Sequence, residues 1–214
     1  MNRSLATPAS PAARNRATPA PALQQHAAWR PALVLGAASL LLLGLAYALA
    51  TTGASRLLFP AQADGSLLVR DGQVRGSRLI AQPFTGEGYF QARPSAANYD
   101  PMAAAGSNLA RSNPALQQRV QASIATVAAR EGVLPAQVPG DLVTQSGAGM
   151  DPELSPAAAQ LQIARVARSR GLPAARVAAL VQAHTLGPQW GVFGQRRVNV
   201  MTLNLALDDL KAAP

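Results

Sequence analysis

Ser146, His184 and ten acidic residues supply the types a hydrolytic triad needs: a hydroxyl to activate, a base, and a carboxylate to orient it. No Gly-x-Ser-x-Gly elbow surrounds Ser146, and a chain of 214 residues contains such types by chance. The stretch 143–149, VTQSGAG, is a second place to look, because glycines let backbone N–H groups turn toward a phosphate. It lacks the G-x-x-x-x-G-K-[ST] spacing of a P-loop, so the plainer reading is a turn-forming loop. Two histidines, His26 and His184, and no cysteine exclude a thiolate metal site, a disulfide framework and a histidine-rich centre. Neither a catalytic residue nor a metal ligand set is expected.

The elements that would position these residues begin with the charge pattern. The net charge is +9, yet residues 1–30 hold Arg3, Arg14, Arg16 and Arg30 with no acid, and the first acidic residue is Asp64. Between Arg30 and Arg56 no charged residue occurs, in a run dominated by Leu and Ala. About 20 apolar residues at a rise of about 1.5 Å match a hydrocarbon core of roughly 30 Å. Residues 31–55 are therefore expected to be a transmembrane helix. Four arginines before it and only Arg56 close behind place the N-terminus in the cytoplasm and the rest outside, in the periplasm of a bacterium. The competing reading is a cleaved leader, since Ala48-Leu49-Ala50 has the small-x-small form of a cleavage site. The apolar run is longer than the core of a signal peptide, of roughly 7–15 residues, and a long leader precedes it.

Gly44, Ala48 and Thr52 recur every four residues and would let another helix approach closely. Residues 1–30, rich in Ala, Pro and Arg, read as a disordered cytoplasmic tail, with Trp29 at the membrane boundary. The part after residue 55 has 15 Lys+Arg (19 less the four before it) against 10 acids, with few aromatics and no basic stripe. That pattern does not fit nucleic-acid binding.

Residues 56–214 read as one mixed domain, so the fold class is α+β with a single N-terminal membrane span. Residues 66–70 and 77–82 are expected to be strands around an Asp71-Gly72 turn, with a third extended piece at 89–92. Asn113-Pro114 and Ser155-Pro156 are helix starts, and Gly132 and Gly171 are stops. The second of these helices turns Val166 and Ala167 inward and leaves Arg165 and Arg168 outside. Residues 173–184 form a further helix, 198–200 a strand and 203–210 a closing helix. Asn199 and Asn204 alternate with apolar neighbours and are expected to satisfy buried backbone groups. His184 is expected to be a structural residue at a helix end.

Several polar stretches are more distinctive: 91–100 (QARPSAANYD), 106–109 (GSNL), 112–114 (SNP), 141–144 (DLVT), 151–158 (DPELSPAA), 197–200 (RVNV) and 203–208 (LNLALD). In these the chain resembles the C subunit of the Kdp-type potassium-transporting ATPase of bacteria. The likeness runs from the anchor to about Asp208 in the family's order and spacing, and excludes the leader. Gln145 stands where the family more often has alanine, Ala148 where serine is common, and Ala104-Ala105 where Ser-Gly is usual.

The resemblance implies a non-catalytic accessory subunit of an ATP-driven potassium uptake complex in the inner membrane. Its partners would be a channel-like potassium-binding subunit and a P-type ATPase subunit that hydrolyses ATP. It also implies a chaperone-like role in raising the pump's ATP affinity, with Thr144, Gln145, Ser146, Gly147 and Gly149 as the nucleotide-related stretch. No intrinsic cofactor is expected, and ATP only within the complex with the ATPase subunit. Partner contacts are expected at Gly44, Ala48 and Thr52 in the span, and at Arg93, Tyr99, Asp100, Ser107 and Asn108 outside it. The alternatives are a stand-alone anchored binding module and a Ser/His hydrolase.

Overall fold

The computed structural model describes residues 29–210. The tail reading of residues 1–28, including His26, lies outside the described residues. The described residues fall into two units, divided between Ala54 and Ser55.

A helix runs over Trp29–Leu58, with its apolar window wholly unburied and long enough to cross a membrane. It comprises α1 (Trp29–Ser39), a π-helical segment (Leu40–Ala46) and α2 (Tyr47–Leu58). Leucines 40–43 and 45 are all exposed, which water would penalise and lipid would not. Arg30 stacks its guanidinium over the Trp29 ring, 5.2 Å from the centroid, at the polar start of the helix. Gly44 falls in the π-helical segment, and Ala48 and Thr52 lie one α-turn apart in α2; all three are exposed.

In the second unit, α3 (Pro60–Ala63) leads to a hairpin of β1 (Leu67–Arg70) and β2 (Gln73–Ser77). Asp71 and Gly72 both have positive φ (51° and 72°), the backbone that a two-residue turn between twisted strands requires. The second strand therefore starts at once, with Gln73 opposite Arg70, not at residue 77 as the sequence reading had it. Gln73, Val74 and Arg75 are exposed, so no apolar alternation marked them as strand.

Four helices and a small sheet make the core. α4 (Pro114–Glu131) is capped by the Asn113 side chain, which accepts from the Ala115 amide, and ends at Gly132 in the left-handed region. α5 (Pro156–Arg170) begins at Ser155, whose Oγ accepts from the Ala158 amide, and ends at left-handed Gly171. α6 spans Ala174–Ala183, and α7 spans Val200–Asp208 behind an Asn199 cap, starting three residues earlier than expected. The antiparallel sheet is ordered β3-β5-β4, from Glu153–Leu154, Arg197–Asn199 and Thr185–Leu186. Val198 in the central strand faces both neighbours and is fully buried with Phe90, Val166, Val177, Leu203 and Leu207.

Two interior features differ from the sequence reading. The extended piece at 89–92 joins no sheet: side chains replace a neighbouring strand. Asn204 accepts from the Phe90 amide at 2.9 Å and donates to the Phe90 carbonyl at 2.8 Å. Gln162 does the same for Gln91, at 2.8 and 3.1 Å. The second feature is Arg165, which is 2% exposed and not on the outer face. Its Nε lies 3.0 and 3.1 Å from the two oxygens of Glu131, whose side chain is fully buried. Nη1 donates to the carbonyls of Glu87 and Tyr89, and Nη2 to Gln162. Burial of the charge is compatible with folding because all three guanidinium nitrogens are hydrogen-bonded and the charge is paired.

Candidate functional site

Two of the regions singled out by the sequence meet in one place, while 197–200 and 203–208 lie in β5 and α7 in the core. Residues 93–108 form a loop that lies against residues 141–151, and backbone packs directly on backbone. A Cβ added at Gly106 would sit 2.8 Å from the Gly147 carbonyl oxygen. One added at Gly149, whose φ is +72°, would sit 2.8 Å from the Ala105 carbonyl oxygen. Both glycines are required by that approach.

Side chains fasten the two loops. Arg93 donates through Nη1 to Asp151 Oδ2 at 2.9 Å, and its Nη2 lies 3.5 Å from Thr144 Oγ1 and the Gln145 carbonyl. Asp151 Oδ1 accepts from the Glu153 amide, which ties the loop to β3. The Ser146 amide donates to the Pro94 carbonyl, and Ser146 Oγ accepts from the Asp151 amide at 3.3 Å. Ser95 Oγ accepts from the amides of Ala97 and Tyr99. The Tyr99 hydroxyl donates to the Arg93 carbonyl at 2.8 Å. Burial pushes the Tyr99 phenol above its ordinary pKa, since the site disfavours a phenolate.

Several of the domain residues expected to touch a partner or ligand also bond within the domain, while Asn108 is exposed. Asp100 caps a short 3-10 turn (Pro101–Ala103) by accepting from the Met102 amide. Ser107 Oγ accepts from Arg119 Nη2 at 3.3 Å. Asn98, Tyr99 and Asn108 have positive φ, near 50–61°, a region asparagine tolerates better than most residues. Thr144 Oγ1 donates to the Gly140 carbonyl, and Ser146 is 3% exposed. Gln145 Nε2 reaches the Ser95 carbonyl at 3.4 Å.

The satisfaction is incomplete at this face. Among the described residues, the buried side-chain atoms without a hydrogen-bond partner are Arg93 Nε, Arg119 Nε and Gln145 Oε1. Arg93 and Gln145 belong to the paired loops, and Arg119 on α4 is fastened to them through Ser107. Sequence reasoning did not single out Arg119; the signal was an arginine six residues past a helix cap, which resembles any solvated helix charge.

The triad parts are not assembled for catalysis. Ser146 Oγ is committed to its own loop, and His184 terminates α6 with Nδ1 3.0 Å from the Leu180 carbonyl. No group of three or more His, Cys, Asp or Glu is placed to hold a metal among the described residues.

The chain thus combines one apolar helix long enough to cross a bilayer with a mixed α/β domain that carries a braced polar loop face. The family described as KdpC, the K+-transporting ATPase c chain, matches residues 29–209, and this chain belongs to it. Relatives named as potassium-transporting ATPase KdpC subunits agree with it over most of both chains. That of Xanthomonas oryzae pv. oryzae (strain MAFF 311018) is 59% identical over 186 residues, 87% of this chain and 89% of the relative. That of Shewanella putrefaciens (strain CN-32 / ATCC BAA-453) is 54% identical over 173 residues, 81% and 87% of the two chains. A third, from Gemmatimonas aurantiaca (strain DSM 14586 / JCM 11422 / NBRC 100505 / T-27), is 52% identical over 193 residues, 89% and 96%. The chain is thus an accessory component of a potassium-transporting ATPase.

Proposed function

We propose that this chain is a non-catalytic assembly subunit that holds together a channel-like potassium-binding subunit and a P-type ATPase subunit. The observation that carries it is the contrast between a domain with no assembled catalytic group and a polar face whose buried arginine and glutamine atoms lack partners. The helix Trp29–Leu58 anchors it in the bacterial inner membrane, with Gly44, Ala48 and Thr52 offering a close approach to a partner helix. The arginine excess ahead of the span keeps the N-terminus cytoplasmic and the domain periplasmic. Residues 93–108 then face the channel-like subunit's outer surface.

A gain in the pump's ATP affinity follows from this placement as an indirect effect. The hydroxyls of Thr144 and Ser146 are bonded within the chain, and ATP is held by the ATPase subunit on the other side of the membrane. Better assembly raises the fraction of ATPase subunit in its binding-competent state, which raises apparent affinity without contact.

The test is a mild-detergent pull-down of the tagged full chain with identification of every co-purifying subunit. Recovery of both a channel-like and a P-type ATPase chain is expected. Recovery of the chain alone, bound to a small ligand through its polar loops, would establish a stand-alone module instead.

A further inference from the structure

Beside the paired loops, a cleft of about 430 Å³ opens between α4 and the start of the 93–108 loop. Its floor is apolar, from Val127 and Leu142, and its walls include the rings of Phe84 and Tyr99. Two arginines of α4, Arg119 and Arg130, complete it, and none of its lining residues is acidic. They are eleven residues apart, about three helical turns, and so project on the same side of the helix.

The two cations differ in what surrounds them. Arg130 is bonded to Glu131 through Nε at 2.7 Å and to the Gln91 side chain through Nη1. Arg119 has one bond, from Nη2 to the Ser107 hydroxyl, and its Nε is buried without a partner. It enters no ion pair among the described residues, whereas Arg93, Arg130 and Arg165 all do. A half-buried guanidinium with no counter-ion is a costly state. Its Nε is sealed inside, but Nη1 carries no bond and is not buried, and a carboxylate brought to the Nη groups would gain charge-assisted hydrogen bonds in a partly dehydrated place.

We infer that this cleft receives an acidic side chain from a partner subunit of the transport complex, its carboxylate on Arg119 and its apolar neighbour against Phe84 and Tyr99. The inference rests on the assembly role proposed above and names the chemistry of one of its contacts. A partner segment is the occupant because the cleft adjoins the loop face where the other unpartnered buried atoms, on Arg93 and Gln145, are found.

Lys211 is the chain's single lysine, so an amine placed at position 119 can be followed almost without background. The full chain carrying R119K is assembled with its partners, treated with a zero-length carbodiimide, and the amide-linked peptides are identified. A link from position 119 to an Asp or Glu of a partner subunit is expected. A link only to an acid of this same chain, or none from position 119 in an intact complex, overturns the inference. In parallel, R119E should lower recovery of the chain with the complex by about tenfold, as loss of a close interfacial charge pair does. R119K should retain most of it, and circular dichroism should match the unmodified chain for both. Wild-type recovery of R119E would also overturn the cleft assignment. Failure of the unmodified chain to bring down any partner would instead refute the assembly role itself.

Discussion

Arg165 in the interior and Arg119 at the loop face are both arginines of helices, and their surroundings could hardly differ more. Arg165 uses Nε on Glu131, Nη1 on two carbonyls and Nη2 on Gln162, all inside the domain. Arg119 is more accessible, yet its Nε is buried and idle. The same contrast holds for amides: Asn204 and Gln162 bond with both ends to one backbone segment, while Gln145 leaves Oε1 without a partner. The interior completes its own polar chemistry; the loop face stops short of doing so. Under the assembly role proposed above, that difference would separate the part that must fold alone from the part that meets a partner.

The contrast can be broken most severely at the interior ion pair. Glu131→Leu strands Arg165 without its carboxylate and should cost about 3–5 kcal/mol of unfolding free energy, read by urea denaturation of the full chain in detergent. A loss below about 1 kcal/mol would mean the pair does not organise the core. Asn204→Leu comes next. It leaves the amide and carbonyl of Phe90 buried and unpaired, with an expected loss of about 2–4 kcal/mol in the same titration.

At the loop face the effects should be smaller. Gly106→Ala pushes a methyl to within 2.8 Å of the Gly147 carbonyl oxygen. It should cost about 1–3 kcal/mol and loosen the loop pair, visible as faster amide exchange at 144–149. Tyr99 sharpens the comparison through pH. Burial raises its folded-state pKa above the ordinary phenol value of 10.0, so its contribution is complete below pH 10 and is lost as pH rises from there through the folded value. Tyr99→Phe should flatten that alkaline decline in a series of melts. Gln145→Ala is the mildest change. It removes a 3.4 Å bond together with an unpartnered oxygen, and stability should stay within about 0.5 kcal/mol of the unmodified chain.

Legibility from sequence followed the range of the forces involved. Asn113, Ser155, Gly132 and Gly171 were readable as caps because a cap is decided by a few neighbouring residues. The apolar helix long enough to cross a membrane was readable because length and apolarity alone mark it. Arg165 was misplaced because its burial depends on Glu131, 34 residues earlier in the chain, and nothing local announces that partner. Residues 89–92 join no sheet, because the hydrogen bonds of Phe90 and Gln91 go to side chains on α5 and α7, which no strand pattern encodes. The site divides similarly. The distinctive stretches stood out one by one, whereas the pairing of 93–108 with 141–151 through Gly106 and Gly149, and the unpaired Arg119 beside it, required three dimensions.

Amide hydrogen exchange on the full chain, alone in detergent and again within the assembled transport complex, bears most directly on the division between a self-sufficient interior and an unfinished loop face. Protection should rise on assembly at residues 93–108, at 141–151 and along α4 near Arg119, with little change at 197–208. Equal exchange in both states across the loops, or a rise confined to the sheet and α7, would contradict it.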